Sequence, residues 1–265
     1  MIEGWWVFPL LGVVAGVLAG LLGIGGGLVL IGALVWLLPI YGIPAEAAMH
    51  AALASSLASI ILTASSSARA HHRRGSVLWP TVAWMVPGLM LGGWLGSMLA
   101  VGLQGQVLRW CVALYCFLVA AQMVFGGRRG GGGSHDGTVP TGWPMVAAGG
   151  GIGAVSAVVG IGGGSMTVPL LVWRGVVPVR AVGTSSACGI FIGLASAAGY
   201  VLHAPAGALP AHAAGYVYLP AAIGIAVASV LAAPLGTRLA HAISGAALTR
   251  VFAVFMVLVG ISVLL

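Results

Sequence analysis

Two copies of a glycine-rich motif are the clearest chemical signal in the sequence. Residues 23–27 (the first motif) and 160–164 (the second motif) both read Gly-Ile-Gly-Gly-Gly, and each follows an apolar segment rich in small residues. Four glycines in five residues disfavour a continuous helix, at roughly 1 kcal/mol per glycine relative to alanine. We therefore predict a broken helix at each copy. The N-terminus of the next short helix then presents free N–H groups to an anion.

A second set of candidates lies on the Ser-rich segments that follow the motifs. Gly183-Thr184-Ser185-Ser186 in the second half corresponds to Met49-His50-Ala51-Ala52 in the first. Hydroxyl and imidazole groups can donate hydrogen bonds to an anion. The predicted substrate-binding residues are Gly25, Gly26, Gly27, Gly162, Gly163, Gly164, Thr184, Ser185 and His50.

Each of these assignments has a structural alternative. The glycines could simply allow two helices to approach closely, as small residues do in membrane proteins. The hydroxyls of Thr184 and Ser185 could bond to their own helix backbone, which is common in membrane helices. That alternative is favoured for the serines of the first half, which are Ser55, Ser56, Ser65, Ser66 and Ser67.

Glu46 is a candidate for coupling transport to H⁺ or to another ion. It is the only carboxylate inside the hydrophobic body of the sequence, and His50 lies one turn later on the same helical face. Ionisable groups within membranes are usually functional, so the pair could form a proton relay. The favoured alternative is that Glu46 lies at the outer interface and stabilises the N-terminus of its helix. Arg180 stands at the matching place in the second half, which argues against a symmetric role.

The composition shows which medium must surround these residues. The 265 residues are 60% hydrophobic and 5% charged, with a mean hydropathy of +1.14. Soluble domains carry about 25% charged residues, so a soluble domain is excluded. Long continuous apolar runs also disfavour a β-barrel. Ten apolar segments, two of them too short to span alone, predict an all-α integral membrane protein: a polytopic helix bundle with 8–10 membrane segments and glycine-broken helices.

The two halves of the chain read as copies of each other. Besides the motifs, His72, Gly75, Pro80 and Gly96 match His212, Gly215, Pro220 and Gly236 in order. We predict a first transmembrane repeat over residues 1–126, a linker over 127–141 rich in glycine, and a second repeat over 142–265. An odd number of segments in each repeat gives the two repeats opposite orientations in the membrane.

The arginines orient the two repeats. All ten basic Lys/Arg residues are arginines, and their clustering at helix ends indicates cytoplasmic loops rather than binding of nucleic acid. A cytoplasmic linker and termini outside place every arginine except Arg109 on the cytoplasmic side. The sequence therefore predicts a multi-pass protein of the cell membrane, with the lipid bilayer as its surroundings.

Enzymatic motifs are absent from the sequence. It has no HExxH, Walker-type or CxxC pattern, and Cys111, Cys116 and Cys188 lie within apolar runs, so no metal or cofactor is predicted. The run from His71 to Arg74 is interpreted as a cytoplasmic anchor. A remote alternative is an intramembrane hydrolase that uses Ser165 with His203 or His212.

The motifs together resemble one family. The two glycine motifs, Val168-Pro169-Leu170, the Gly183–Ser185 run and the Pro220…Gly236…Arg250-Val251-Phe252 tail resemble the TauE/SafE family of membrane permeases. In the first half, Gly32 stands in place of Pro169, and Met49-His50-Ala51 replaces Gly-Thr-Ser. The resemblance implies export of small sulfur anions, such as sulfite or organosulfonates, driven by an ion gradient. A passive anion channel, or a permease for another small oxyanion, remains the alternative function.

Overall fold

The computed structural model describes residues 4–22, 26–125, 139–210, 212–240 and 245–265. Helices dominate these residues, because a segment in lipid must satisfy its backbone hydrogen bonds internally. The helices are α1 (Val7–Leu22), α2 (Gly27–Ile40), α3 (Ala45–Arg73), α4 (Trp79–Gly102), α5 (Gly105–Phe125), α6 (Trp143–Val159), α7 (Gly164–Trp173), α8 (Pro178–Leu202), α9 (Leu219–Ala240) and α10 (Gly245–Leu264).

Four of these helices are long and apolar enough to cross a membrane, judged by length and composition within the described residues. They are α3, α4, α5 up to Val124, and α8. The remaining six present shorter apolar stretches, among them α2 and α7, which follow the two motifs. The prediction of an all-α polytopic membrane protein is thereby confirmed. The linker and Gly25 fall largely or wholly outside the described residues, so the boundaries of the two repeats stay a prediction.

The helices of the two halves interleave rather than form separate bundles. Helix α3 packs on α8, and α5 packs on α10. Helix α1 packs on α9, and α6 packs on α4. The counterparts in the two halves are α1 and α6, α3 and α8, α4 and α9, and α5 and α10. When each helix is replaced by its counterpart, the α1–α9 contact becomes the α6–α4 contact, and the α3–α8 and α5–α10 contacts stay the same. This is the contact pattern that a two-fold relation between the halves requires, and the inverted repeat itself stays a prediction.

Glycines bring the paired helices into backbone contact. A Cβ atom added to Gly88 or Gly92 of α4 would collide with the carbonyl oxygens of Val146 or Gly150 of α6. On the other pair, a Cβ atom on Gly16 of α1 would meet the carbonyl oxygen of Ser229 in α9. Small residues of this kind allow the close van der Waals packing on which helix association in lipid depends.

A short β-hairpin interrupts the helical pattern before α9. Strands β1 (Ala213–Ala214) and β2 (Val217–Tyr218) pair antiparallel. The apolar run that begins at residue 215 predicts a ninth membrane segment from there, but the helix begins only at Leu219. Gly215 adopts a left-handed φ of 55° in the turn, and the Val217 and Tyr218 side chains are buried against the helices. Because this extended segment is buried, its residues are as apolar as those of a membrane helix. Composition alone therefore does not distinguish the strand from the helix that follows.

Candidate functional site

The second motif separates two helices. Helix α6 ends at Val159 and α7 begins at Gly164, and Gly160 and Gly163 both have a φ of 73°. This left-handed region strains any residue with a Cβ, which explains glycine at both positions. The N–H groups of Gly160 and Ile161 donate to the carbonyl oxygen of Ser156 at 2.8 and 3.1 Å. The chain therefore closes one helix and opens the next within four residues.

The described part of the first motif has the same local geometry. Gly26 precedes α2 as Gly163 precedes α7, with φ values of 65° and 73°. Neither helix start has a side-chain cap. Both helices therefore begin with first-turn N–H groups that have no acceptor within the helix.

The two motifs contact each other. A Cβ atom on Gly27 would lie 2.7 Å from the carbonyl oxygen of Gly160. The buried Ser56 hydroxyl on α3 lies within donating distance of both motifs, 3.3 Å from Gly27 O and 3.1 Å from Gly160 O. Sequence reasoning favoured a bond from Ser56 to its own helix. Ser56 instead joins the first motif to the second.

The second motif is wedged between the middles of α3 and α8. A Cβ atom on Gly162 would lie 3.1 Å from Ile60 Cγ2 on α3. On the opposite side, a Cβ atom on Gly189 of α8 would lie 3.1 Å from the Gly162 carbonyl oxygen. A Cβ atom on Gly163 would collide with Ile192 Cδ1, one turn further along α8. Ile60 and Gly189 lie near the centres of α3 and α8, so the motif lies near the mid-length of these two helices.

Thr184 and Ser185 have different surroundings, although they are adjacent in sequence. Thr184 Oγ1 accepts a hydrogen bond from the Leu78 N–H at 3.0 Å, in the segment that connects α3 to α4. Ser185 is 1% exposed and its hydroxyl has no partner in the described structure. It lies one turn before Gly189, on the face of α8 that meets the second motif. Of the two, Ser185 is the better placed to reach a ligand at the motif.

His50 contacts the end of α4 rather than a motif. Its Nε2 atom lies 3.0 Å from the Leu103 carbonyl oxygen and 3.2 Å from that of Ala100. Its ring stacks on Tyr216 of the hairpin, with centroids 4.8 Å apart. The six residues that separate it from Ser56 span about 9 Å of helix. An N–H donor at this place satisfies the Leu103 carbonyl group and shares that of Ala100, which also accepts from the Leu103 N–H.

Glu46 lies in the first turn of α3 and its side chain is exposed. This is the placement at a helix N-terminus that the dipole interpretation describes. The arginines with described side chains also lie away from the motifs. Arg109 donates to the Val263 carbonyl oxygen at the end of α10, and Arg69, Arg73, Arg74, Arg174 and Arg180 are exposed near helix ends. The polarity beside the second motif therefore comes from backbone dipoles and neutral hydroxyls.

Ser165, the candidate nucleophile of the hydrolase alternative, has a tyrosine as its partner. Its hydroxyl is hydrogen-bonded to the Tyr115 hydroxyl. His203, one of the histidines considered for it, lies within hydrogen-bonding distance of the Gly199 carbonyl oxygen through Nδ1, at 2.9 Å. Neither bond pairs a serine with a base, which nucleophilic catalysis requires.

Two hydroxyls beside the second motif escaped sequence reasoning. Ser156 lies in the last turn of α6, just before the motif, and Thr167 lies in α7 one turn after Gly163. Both are fully buried and without a partner in the described structure. The signal that could have found them is a comparison of the two halves position by position. Where the second half has Ser156 and Thr167, the first has Ala19 and Leu30.

The chain matches a family model and a curated protein over almost its whole length. A family model described as "Sulfite exporter TauE/SafE" matches residues 8–263. A curated protein of Haemophilus influenzae, named "Probable membrane transporter protein", is 34% identical over 259 residues, which cover 97% of this chain and 96% of that protein. No solved structure matches the chain.

Proposed function

Since the chain belongs to the TauE/SafE sulfite exporter family and is a multi-pass membrane transporter, we propose that it exports sulfite or a related small sulfur oxyanion. The anion binds beside the glycine motifs, between the two halves. Export from the cytoplasm against a gradient requires coupling to H⁺ or another ion. The membrane in question is the cell membrane.

The observation that carries this proposal is the meeting of the two motifs beside Ser56, near the mid-length of α3. The starts of α2 and α7 each follow a left-handed glycine and have unpaired N–H groups. An anion must lose its water to cross lipid, and fixed N–H dipoles can replace that water. A full positive charge would hold the anion too tightly, whereas transport needs release.

The interleaved packing supports alternating access between two halves of opposite orientation. In transporters with inverted repeats, one bundle moves against the other around a central site. Here α3 and α8 pack against each other beside the second motif, and Gly27 and Gly160 are in contact. We propose that this contact loosens when the anion is bound and that both termini face outside.

The function is tested with purified protein in proteoliposomes loaded with radiolabelled sulfite. We expect movement of sulfite that is accelerated, and driven uphill, by an imposed proton or ion gradient. Sulfite that only runs down its own gradient would identify a passive channel instead. If neither sulfite nor a short organosulfonate moves faster than in liposomes without the protein, the proposed function is wrong.

The site is tested separately by a substitution at the second motif. Gly163→Val is expected to abolish sulfite transport, because a branched side chain at a φ of 73° would collide with Ile192 and Ile152. The variant is compared with the parent only if it is monodisperse in detergent. Transport at the parental rate would mean that the motif serves packing alone.

A further inference from the structure

Three buried hydroxyls around the second motif have no hydrogen-bond partner within the described structure. They are Ser156 on α6, Thr167 on α7 and Ser185 on α8, exposed by 0%, 0% and 1% respectively. Buried polar groups are almost always paired, since an unmade bond costs free energy. Three unpaired hydroxyls on three helices around one helix break therefore call for a partner that the protein itself does not supply.

Ser156 has the most direct relation to the start of α7. Its Oγ atom lies 3.3 Å from the position that a Cβ atom of Gly163, the residue before α7, would occupy. Within α7 the N–H groups of Met166 and Thr167 donate to Gly163 O. The N–H groups of Gly164 and Ser165 precede the first such bond and have no acceptor within the helix. A ligand at this helix start thus finds two backbone donors and a free hydroxyl.

The same arrangement is missing from the first half. The equivalents of Ser156, Thr167 and Ser185 are Ala19, Leu30 and Ala51, which have no hydroxyl to donate. On α3, Ser56 donates to the two motifs, Ser59 to Ser56 O, and Thr63 to Ser59 O, while Ser55 accepts from the Tyr218 N–H. Among the described residues beside the motifs, the unpaired buried hydroxyls therefore lie on the second half.

We propose that the oxyanion binds asymmetrically, at the start of α7 alone, with Ser156, Thr167 and Ser185 as its side-chain ligands. This inference rests on the proposed function and deepens it. Each hydroxyl donates one proton to one oxygen, and the Gly164 and Ser165 N–H groups supply further donors. Donors on three separate helices suit an ion with several separated oxygen atoms, such as sulfite. A spherical halide such as chloride has no separate oxygen atoms to accept these hydrogen bonds. The three hydroxyls therefore favour binding of oxyanions over halides.

The test compares single variants of the purified full-length protein. Ser156→Ala, Ser185→Ala and Thr167→Val each remove one hydroxyl, whereas Thr167→Ser keeps it. Ser196→Ala is the matched control, because Ser196 is also fully buried and unpaired, but lies on α8 against Gly93 of α4. Affinity for sulfite and for chloride is measured by ligand-dependent thermal shift, and the KM for sulfite by proteoliposome flux.

We expect each of the three substitutions that remove a hydroxyl to weaken sulfite binding about tenfold, the effect of one lost hydrogen bond to a charged group. Chloride binding should change little, so the sulfite-to-chloride preference should fall. Thr167→Ser, which keeps the hydroxyl, should retain most of the sulfite affinity that Thr167→Val loses, and Ser196→Ala should behave like the parent. A purely structural role would lower the melting temperature of the unliganded protein without changing this preference.

The outcomes separate this inference from the proposed function. Suppose that the parent transports sulfite, and that the three substitutions change neither the KM for sulfite nor the preference for sulfite over chloride. The asymmetric site is then wrong, while the transport function stands. If the parent neither binds nor transports sulfite, the proposed function fails first. Equal weakening in Ser196→Ala would also overturn the assignment, because that hydroxyl faces Gly93 of α4, about two turns of α8 beyond Gly189.

Discussion

Single residues connect the parts of this protein across large distances in sequence. Ser56 lies within hydrogen-bonding distance of carbonyl oxygens of both motifs, and Thr63 Oγ1 lies 2.6 Å from Ser229 Oγ on α9. In lipid these contacts replace the water that a soluble protein would use. A hydroxyl that joins two helix ends should therefore contribute more to stability than one that bonds only its own helix.

Removal of the Ser56 hydroxyl tests this comparison. Ser56→Ala should lower the stability by about 1 kcal/mol, because one buried hydrogen bond to the motif carbonyls is lost. Ser65→Ala is the control, since Ser65 donates to Ile61 O of its own helix at 2.6 Å. The measurement is the melting temperature of each variant in the same detergent. Equal melting temperatures would show that Ser56 does not hold the motifs together.

The left-handed glycines distinguish backbone strain from steric contact. Gly163 and Gly175 both have positive φ values, 73° and 84°, but Gly175 has open space around its Cβ position. Gly163→Ala should reduce transport strongly, because the added methyl group meets Ile192 and Ile152. Gly175→Ala should leave transport near the parental rate and cost only the backbone strain, about 1 kcal/mol. Similar transport losses would mean that strain, and not the site, is responsible.

At the scale of elements, each half places an extended segment against the Ser-rich helix of the other half. The Leu78 N–H donates to Thr184 Oγ1 on α8, and the Tyr218 N–H donates to Ser55 Oγ on α3, both at 3.0 Å. Leu78 and Tyr218 hold equivalent places, each two residues before a matched proline. The two Ser-rich helices therefore hold the chain that enters α4 and α9.

Thr184→Val tests this role of the hydroxyls. The substitution keeps the shape but leaves the buried Leu78 N–H without an acceptor, which should lower stability by about 1–3 kcal/mol. Thr184→Ser keeps the acceptor and should restore most of that loss. Thermal unfolding in detergent gives the stability, and sulfite flux shows separately whether Thr184 also contributes to affinity. An unchanged melting temperature for Thr184→Val would contradict the structural role.

At the scale of the whole molecule, the charge pattern predicts one orientation in the membrane. Arg109, the arginine predicted on the outer side, donates to the Val263 carbonyl oxygen at 3.1 Å and so caps the end of α10. A cation at a helix C-terminus is favoured by the helix dipole. Its place is therefore explained by a local contact rather than by the distribution of charge between loops.

The orientation is checked by cysteine labelling. Single cysteines are placed in the predicted linker, 127–141, in a background without Cys111, Cys116 and Cys188, all of which are free thiols. We expect an impermeant maleimide applied to intact cells to leave the linker unlabelled and to label a cysteine near residue 4. Labelling of the linker from outside would overturn the inverted arrangement.

The sequence alone determined where most helices lie. The apolar run at 165–174 predicts the helix found as α7, Gly164–Trp173, and the run at 77–100 predicts α4, Trp79–Gly102. The reason is physical: a long apolar run in lipid must form its own backbone hydrogen bonds, so composition and length define the element. The glycine motifs can also be recognised in the sequence, because four glycines in five residues disfavour a continuous helix.

Only the tertiary structure decided which polar groups have partners. Hydroxyl groups are short and cause no periodicity, so the sequence could not separate Thr184, paired with Leu78, from its unpaired neighbour Ser185. The sequence predicts His50 as a substrate-binding residue, whereas the packing of α4 and the hairpin places its imidazole against the Leu103 carbonyl oxygen and the Tyr216 ring. Whether a buried donor is satisfied depends on helices distant in sequence, and their packing is settled only when the whole bundle assembles.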